Sequence, residues 1–225
     1  MLPSLAESDP TRPAGGTAAV ATDRQGQDGG SQARNLAWLL LVGGLVGLAA
    51  SFVLAVEKYS LLADPSYVPT CSLNPVLSCG SIMASPQAEA FGFPNPLLGV
   101  AGFAVVAATG AALLAGARLA GWFWGGLQVG VTGAVVFVHW LIFSSLYRIG
   151  ALCPYCMVVW AVTISVFWYV TLRNGEWIAS RSMPGIRRAV TAARSLHGVV
   201  LTAWFLSISA AILQRFWLYW STLLG

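Results

Sequence analysis

Five apolar stretches, at about 36–56, 97–117, 122–147, 155–172 and 198–220, dominate this chain, and each is near the roughly 20 residues that a helix needs to cross a hydrocarbon layer. In lipid the backbone N–H and C=O groups must be satisfied within the segment or in a closed barrel. No period-two alternation suggests barrel strands, so an all-α membrane protein with five transmembrane helices is expected. Composition agrees. With 57% of residues hydrophobic and 9% charged, the chain has too few charges to coat a soluble domain of 225 residues. The first 34 residues, rich in Gly, Ala, Ser and Thr and without an apolar run, read as a disordered cytoplasmic tail rather than a signal peptide.

The net charge is +4, carried by eleven arginines and one lysine scattered without aromatic interleaving, so the chain has no nucleic-acid footprint. Cytoplasmic loops carry an excess of basic residues. An internal N-terminus puts Arg12, Arg24, Arg34, Arg118, Arg173, Arg181, Arg187, Arg188 and Arg194 in the cytoplasm, leaving Lys58, Arg148 and Arg215 at the outer face. With five helices the C-terminus then lies outside. The expected organisation is a tail over 1–34, a four-helix core over 35–172 with an outer loop at 57–95, and an arginine-bearing linker with the fifth helix over 173–225. Whether Arg173 to Arg194 forms an interfacial helix or a loop stays open.

This topology puts all four cysteines on the outer, oxidising side, where disulfides persist. Cys71 and Cys79 fall in the loop after the first helix; Cys153-Pro154-Tyr155-Cys156 opens the fourth. A three-residue separation puts Cys153 and Cys156 on one helix face, and Pro154 suits a first helical position because its missing N–H would have been an orphan. The helix N-terminus favours a thiolate, making Cys153 the candidate nucleophile. Cys156 lies one turn deeper, where a lipid-soluble quinone could reach it. Eight residues of straight helix would separate Cys71 and Cys79 by about 12 Å, too far for a disulfide. If they pair, the segment must bend, and Pro75 is the place for it. Two other chemistries compete: a four-cysteine zinc centre, and structural disulfides in a protein without enzymatic activity. A CxxC bridge closes too short a loop to stabilise much, which favours redox use.

Taken in order, Cys71-x7-Cys79, Ser85, the segment Phe91-Gly92-Phe93-Pro94-Asn95-Pro96-Leu97-Leu98-Gly99, and Leu146-Tyr147-Arg148-Ile149 leading to Cys153-Pro154-Tyr155-Cys156 form a distinctive pattern. The pattern resembles the vitamin K epoxide reductase family, most closely its bacterial branch, over roughly residues 36–172. The resemblance implies a four-helix bundle around a quinone, with the fifth helix an addition, in a bacterial plasma (inner) membrane. It implies that Cys71 takes electrons from a reduced thioredoxin-like protein, Cys79 passes them to Cys153, and the Cys153/Cys156 pair reduces a quinone near Cys156. A Cys79 to Cys153 bridge is then an expected intermediate. Asn95 matches the family's quinone-binding asparagine, whose amide can donate to a quinone carbonyl; its competing role is a helix N-cap before Pro96. Trp160 stands where relatives carry a ring-bearing residue such as tyrosine. Ser85 also falls at a family position, although a loop serine commonly serves only a turn.

His139 reads as an interhelical hydrogen-bonding group rather than part of the site. The spaced glycines Gly43, Gly47, Gly125 and Gly130 read as close-packing positions. The chain stops at Gly225 without the thioredoxin-like domain that many bacterial relatives carry, so a separate partner protein, a thiol oxidase of secreted proteins, is expected. Menaquinone is expected ahead of ubiquinone, because the arginine bias points to a GC-rich genome. An unrelated membrane thiol-electron transporter is the remaining alternative.

Overall fold

The computed structural model of the chain describes residues 15–179 and 184–224. Its helices are α1 (Gly15–Ala63), α2 (Cys79–Met83), α3 (Pro96–Leu114), α4 (Gly121–Ser144), α5 (Pro154–Ala179), α6 (Pro184–Ser195), α7 (His197–Arg215) and α8 (Trp217–Leu224). Five segments among them are long and apolar enough to span a membrane: Ser31–Ala63, Pro96–Leu114, Gly121–Ile149, Pro154–Ala179 and His197–Arg215. The protein is an all-α, multi-pass membrane protein, as its five apolar runs predict. No strand occurs among the described residues.

Two differences concern the ends. Helix α1 reaches back to Gly15, so residues 15–34 of the segment read as a tail are helical; residues 1–14 lie outside the described residues. The fifth apolar stretch is broken after Arg215, where Phe216 takes φ −105°, and α8 starts afresh at Trp217. The Arg173 to Arg194 segment is largely helical. α5 runs on to Ala179, and α6 is an amphipathic helix whose Arg194 pairs with Glu176 and reaches Gln32 on α1.

Helix α1 is the spine of the bundle, packing along α3 and α5, while α4 packs on α5. Close approach of α1 and α3 depends on glycine. A Cβ on Gly44 would lie 2.5 Å from the Ala107 backbone nitrogen, and one on Gly47 would strike the Phe103 ring at 2.5 Å. Gly43 meets Val162 of α5 at an ordinary 3.4 Å. Gly125 and Gly130 do not follow this rule. A Cβ on either would meet nothing within 4 Å, and Gly130 lines the space where α3 and α4 part rather than pack. The many exposed apolar side chains, such as Phe52, Val105, Val129, Val136 and Leu206, are what lipid-facing surfaces require.

The fifth span sits at the periphery, and no α7 residue is buried. One of its anchors is the Trp204 indole N–H, which donates to His139 Nε2 at 3.0 Å, while His139 Nδ1 lies 2.7 Å from the Val135 carbonyl. His139 thus makes the interhelical bond expected of it.

Candidate functional site

The four cysteines converge at one end of the bundle. Asn74 makes the bend that the Cys71 to Cys79 segment requires: its side-chain oxygen accepts from the N–H groups of Val76 (3.0 Å) and Leu77 (2.7 Å) across Pro75. The chain folds back so that Leu73 N–H reaches Leu77 O at 2.8 Å. Cys71 and Cys79 then sit with Cα atoms 5.6 Å apart and are joined as a disulfide. Ser78 caps α2, its hydroxyl accepting from Ser81 N–H, so Cys79 is the first residue of that short helix.

On the other side, α4 runs into a π-turn (Ser145–Ile149), which ends at Gly150 in the left-handed region (φ 72°). A side chain there would strain the backbone, so glycine permits the sharp exit. The chain then extends through Ala151 and Leu152 to Cys153, all buried. Leu152 N–H donates to Val76 O at 2.7 Å and Ser78 N–H to Leu152 O at 2.9 Å, an isolated parallel bridge between Leu77 and Leu152. These two bonds set the register of the cysteines that follow each partner. Cys79 Sγ lies 2.9 Å from Cys153 Sγ, both residues being fully buried. Cys79 Sγ is bonded to Cys71 and has no proton to donate. The contact is therefore Cys153 sulfur directed at a disulfide sulfur, closer than two unbonded sulfurs normally sit.

Cys153 and Cys156 are free thiols, Cys153 buried and Cys156 partly so. The Cys153 thiol is held below the ordinary range, first by a hydrogen bond from the Cys156 side chain, with burial opposing and the N–H groups of Cys156 and Tyr155 helping. The sulfurs of Cys71, Cys79 and Cys153 lie within 4.8 Å of one another, a spacing that could hold a metal. Zinc needs thiolates, and a Cys71–Cys79 disulfide removes two of them.

Beside Cys156 lies a cavity of about 790 Å³, of a size and apolar character that suit an organic ligand. It opens between α3 and α4 and is lined from Trp122 and Phe123 at the start of α4 to Ser145 at its end. Gly102, Gly126, Gly130 and Gly133 line it, each with open space where a Cβ would stand. Asn95, Ser85, Cys156 and Trp160 all border it. Asn95 does not cap α3 through its side chain. Its amide instead ties the preceding loop, accepting from Ala90 N–H (3.1 Å) and donating to Gln87 O (2.7 Å). Ser85 donates to Ile82 O at 2.6 Å, a turn contact. Trp160 is buried against Val138 and Ile142.

Sequence reasoning missed the anchors of the loop. Glu57 and Lys58 are both only 6% exposed at the cysteine end of α1. Glu57 accepts from Thr70 Oγ1 (2.5 Å), Thr70 N–H (3.3 Å) and Tyr67 O–H (2.9 Å), and this last bond holds the Tyr67 phenol above its usual pKa. Lys58 donates to Met83 O (2.7 Å) and pairs with Glu89 (2.9 Å). The signal present in the sequence was a charged pair at the end of an apolar run, where burial of charge demands partners. Replacing Glu57 by alanine leaves the Thr70 and Tyr67 donors without their acceptor, a loss of roughly 2–3 kcal/mol for hydrogen bonds to a buried charge. Hydrogen exchange across residues 64–73 is expected to speed up at least tenfold, by mass action on loop opening, while exchange in α3 and α5 stays unchanged.

Buried thiols in ordered pairs, one oxidised and one reduced, at the end of a membrane helix bundle and beside an apolar cavity define a membrane protein built for thiol and disulfide chemistry. The vitamin K epoxide reductase family model matches residues 38–171, more than half of the chain, and the protein belongs to that family. The family's chemistry is oxidoreduction of thiols and disulfides, with quinone as its acceptor. No curated protein was found to match the chain.

Proposed function

We propose that this protein re-oxidises a thioredoxin-like thiol oxidase in the extracytoplasmic compartment and passes the electrons to a membrane quinone, supporting disulfide formation in secreted proteins. The carrying observation is the 2.9 Å approach of Cys153 Sγ to the Cys71–Cys79 disulfide. The partner's dithiol reduces that disulfide, leaving Cys71 and Cys79 as thiols. Cys79 thiolate attacks Cys153 of a Cys153–Cys156 disulfide, forming the Cys79–Cys153 bond and releasing Cys156 thiolate. Cys71 thiolate then attacks Cys79 and releases Cys153, so both electrons now reside on the inner pair. The oxidised outer pair and free inner thiols correspond to this stage. The inner dithiol gives two electrons and two protons to the quinone, closing its own disulfide.

The long cavity beside Cys156 supports a quinone with an extended apolar tail, and Asn95, Trp160 and Ser85 are the proposed contacts near its head. Menaquinone is the first quinone to test, ahead of ubiquinone. The proposed setting is a bacterial plasma membrane, with the N-terminus cytoplasmic and the cysteines outside. The matched core carries the exchange and the cavity; the segment beyond it adds the fifth span.

In a Cys79→Ser variant the Cys71 thiolate attacks the disulfide of an oxidised partner, forming a Cys71–partner bond and releasing the partner's second thiol; with no Cys79 to resolve the adduct, rapid alkylation of that second thiol holds it. Mass spectrometry of such adducts from intact cells is expected to show Cys71 joined to a CxxC-bearing, thioredoxin-like protein. Adducts formed through Cys153 instead would reverse the order of the relay.

A further inference from the structure

The fifth span lies outside the family-matched residues, yet its cysteine-end terminus covers the back of the exchange site. Phe216 belongs to the buried cluster that holds Leu146, Leu152 and Trp160, and Tyr219 and Trp220 pack against that cluster, as do Cys156 and Met157. One polar contact joins this cover to the chain leading into Cys153. In the π-turn, Gly150 N–H goes to Ser145 O at 2.9 Å rather than to Leu146 O, so the helix leaves the Leu146 carbonyl open in a residue only 1% exposed. Arg215 Nε–H fills it at 2.8 Å. An open buried carbonyl has a strong need for a donor, and a guanidinium supplies a charge-assisted one.

We infer that Arg215 is a positioning residue for the exchange between Cys79 and Cys153. By holding the π-turn it fixes where the extended Ala151–Leu152 segment begins, and that segment carries the two backbone bonds that bring the sulfurs together. The inference rests on the proposed exchange order. It deepens that order by giving the fifth helix a part in it.

The test uses the full-length protein in nanodiscs. A Cys71→Ser, Cys156→Ser double variant retains only Cys79 and Cys153, whose bridge equilibrates with glutathione: two thiols and oxidised glutathione give the bridge and two reduced glutathiones. The bridged fraction, read by mass spectrometry under non-reducing conditions, gives the effective concentration of one thiol at the other. Arg215→Met is expected to lower it about tenfold, the scale of one hydrogen bond to a charged group. Arg215→Lys, which keeps a donor, is expected to recover most of the loss.

A companion Cys71→Ser, Cys79→Ser variant keeps the inner pair, whose spacing is set by α5 itself. Arg215→Met should leave its constant unchanged. An unchanged Cys79–Cys153 constant, or an equal fall in both pairs, overturns the positioning role. A parent with Arg215 intact that forms no Cys79–Cys153 bridge at any glutathione ratio overturns the exchange order instead.

Discussion

Cys156→Ser is expected to lower dithiol-driven quinone reduction by at least about 10³-fold, because loss of a group that makes and breaks bonds is not offset by its neighbours. Without a second thiol, Cys153 cannot close the inner disulfide that releases the electron pair. Serine is nearly isosteric, and Cys156 is only partly buried, so helicity and melting temperature should stay near those of the parent. Spectroscopic quinol formation in proteoliposomes is the measurement, and retained activity would reject the assignment. Alanine at the same position adds a second readout. The Cys156 side chain is the largest cause of the lowered Cys153 pKa, so Cys156→Ala should move the Cys153 thiolate absorbance to higher pH. The sign follows from linkage: a depressed thiol pKa stabilises the fold most above the ordinary thiol range. That contribution is lost as pH falls through the lowered value.

Cys71→Ser is expected to separate the two electron donors. With the protein partner, turnover should fall by about 10³-fold or more, since no outer disulfide exists to accept electrons. A small membrane-permeant dithiol that reaches the inner pair should still support quinone reduction within a fewfold of the parent rate. Comparing initial rates with the two donors checks this. Equal loss with both would contradict a relay that begins at Cys71.

The five spans were legible because lipid imposes a continuous apolar run that no soluble packing requirement interrupts. The order of the spans puts both cysteine pairs at one end, and the bend that a Cys71–Cys79 bond requires is a local one, made by Asn74 across Pro75. What was not legible depends on contacts between distant segments. The Leu77 to Leu152 bridge joins residues with no pairing signal, because two hydrogen bonds do not make a strand pattern. Glu57 escapes notice because a Glu-Lys pair at the end of an apolar run looks solvated unless the three donors to Glu57, supplied by Tyr67 and Thr70, are known. Gly130 misleads for a related reason. A glycine that admits a neighbouring helix and one that borders an opening have the same sequence signature, and only the separation of α3 from α4 distinguishes them. Asn95 borders the cavity, and its side chain turns back to the loop instead of capping α3.

The short bridge between Leu77 and Leu152 has a mechanical corollary. In an electrical relay one contact is riveted to the frame and the other is mounted on a spring. Two backbone bonds rivet Cys79 opposite Cys153, whereas Cys71 sits at the far end of a strip that the Glu57 carboxylate fastens to α1. Because Cys71 is just 5% exposed, the proposed relay requires Cys71 to travel to meet its soluble partner, and the Glu57 grip would set the stiffness of that spring.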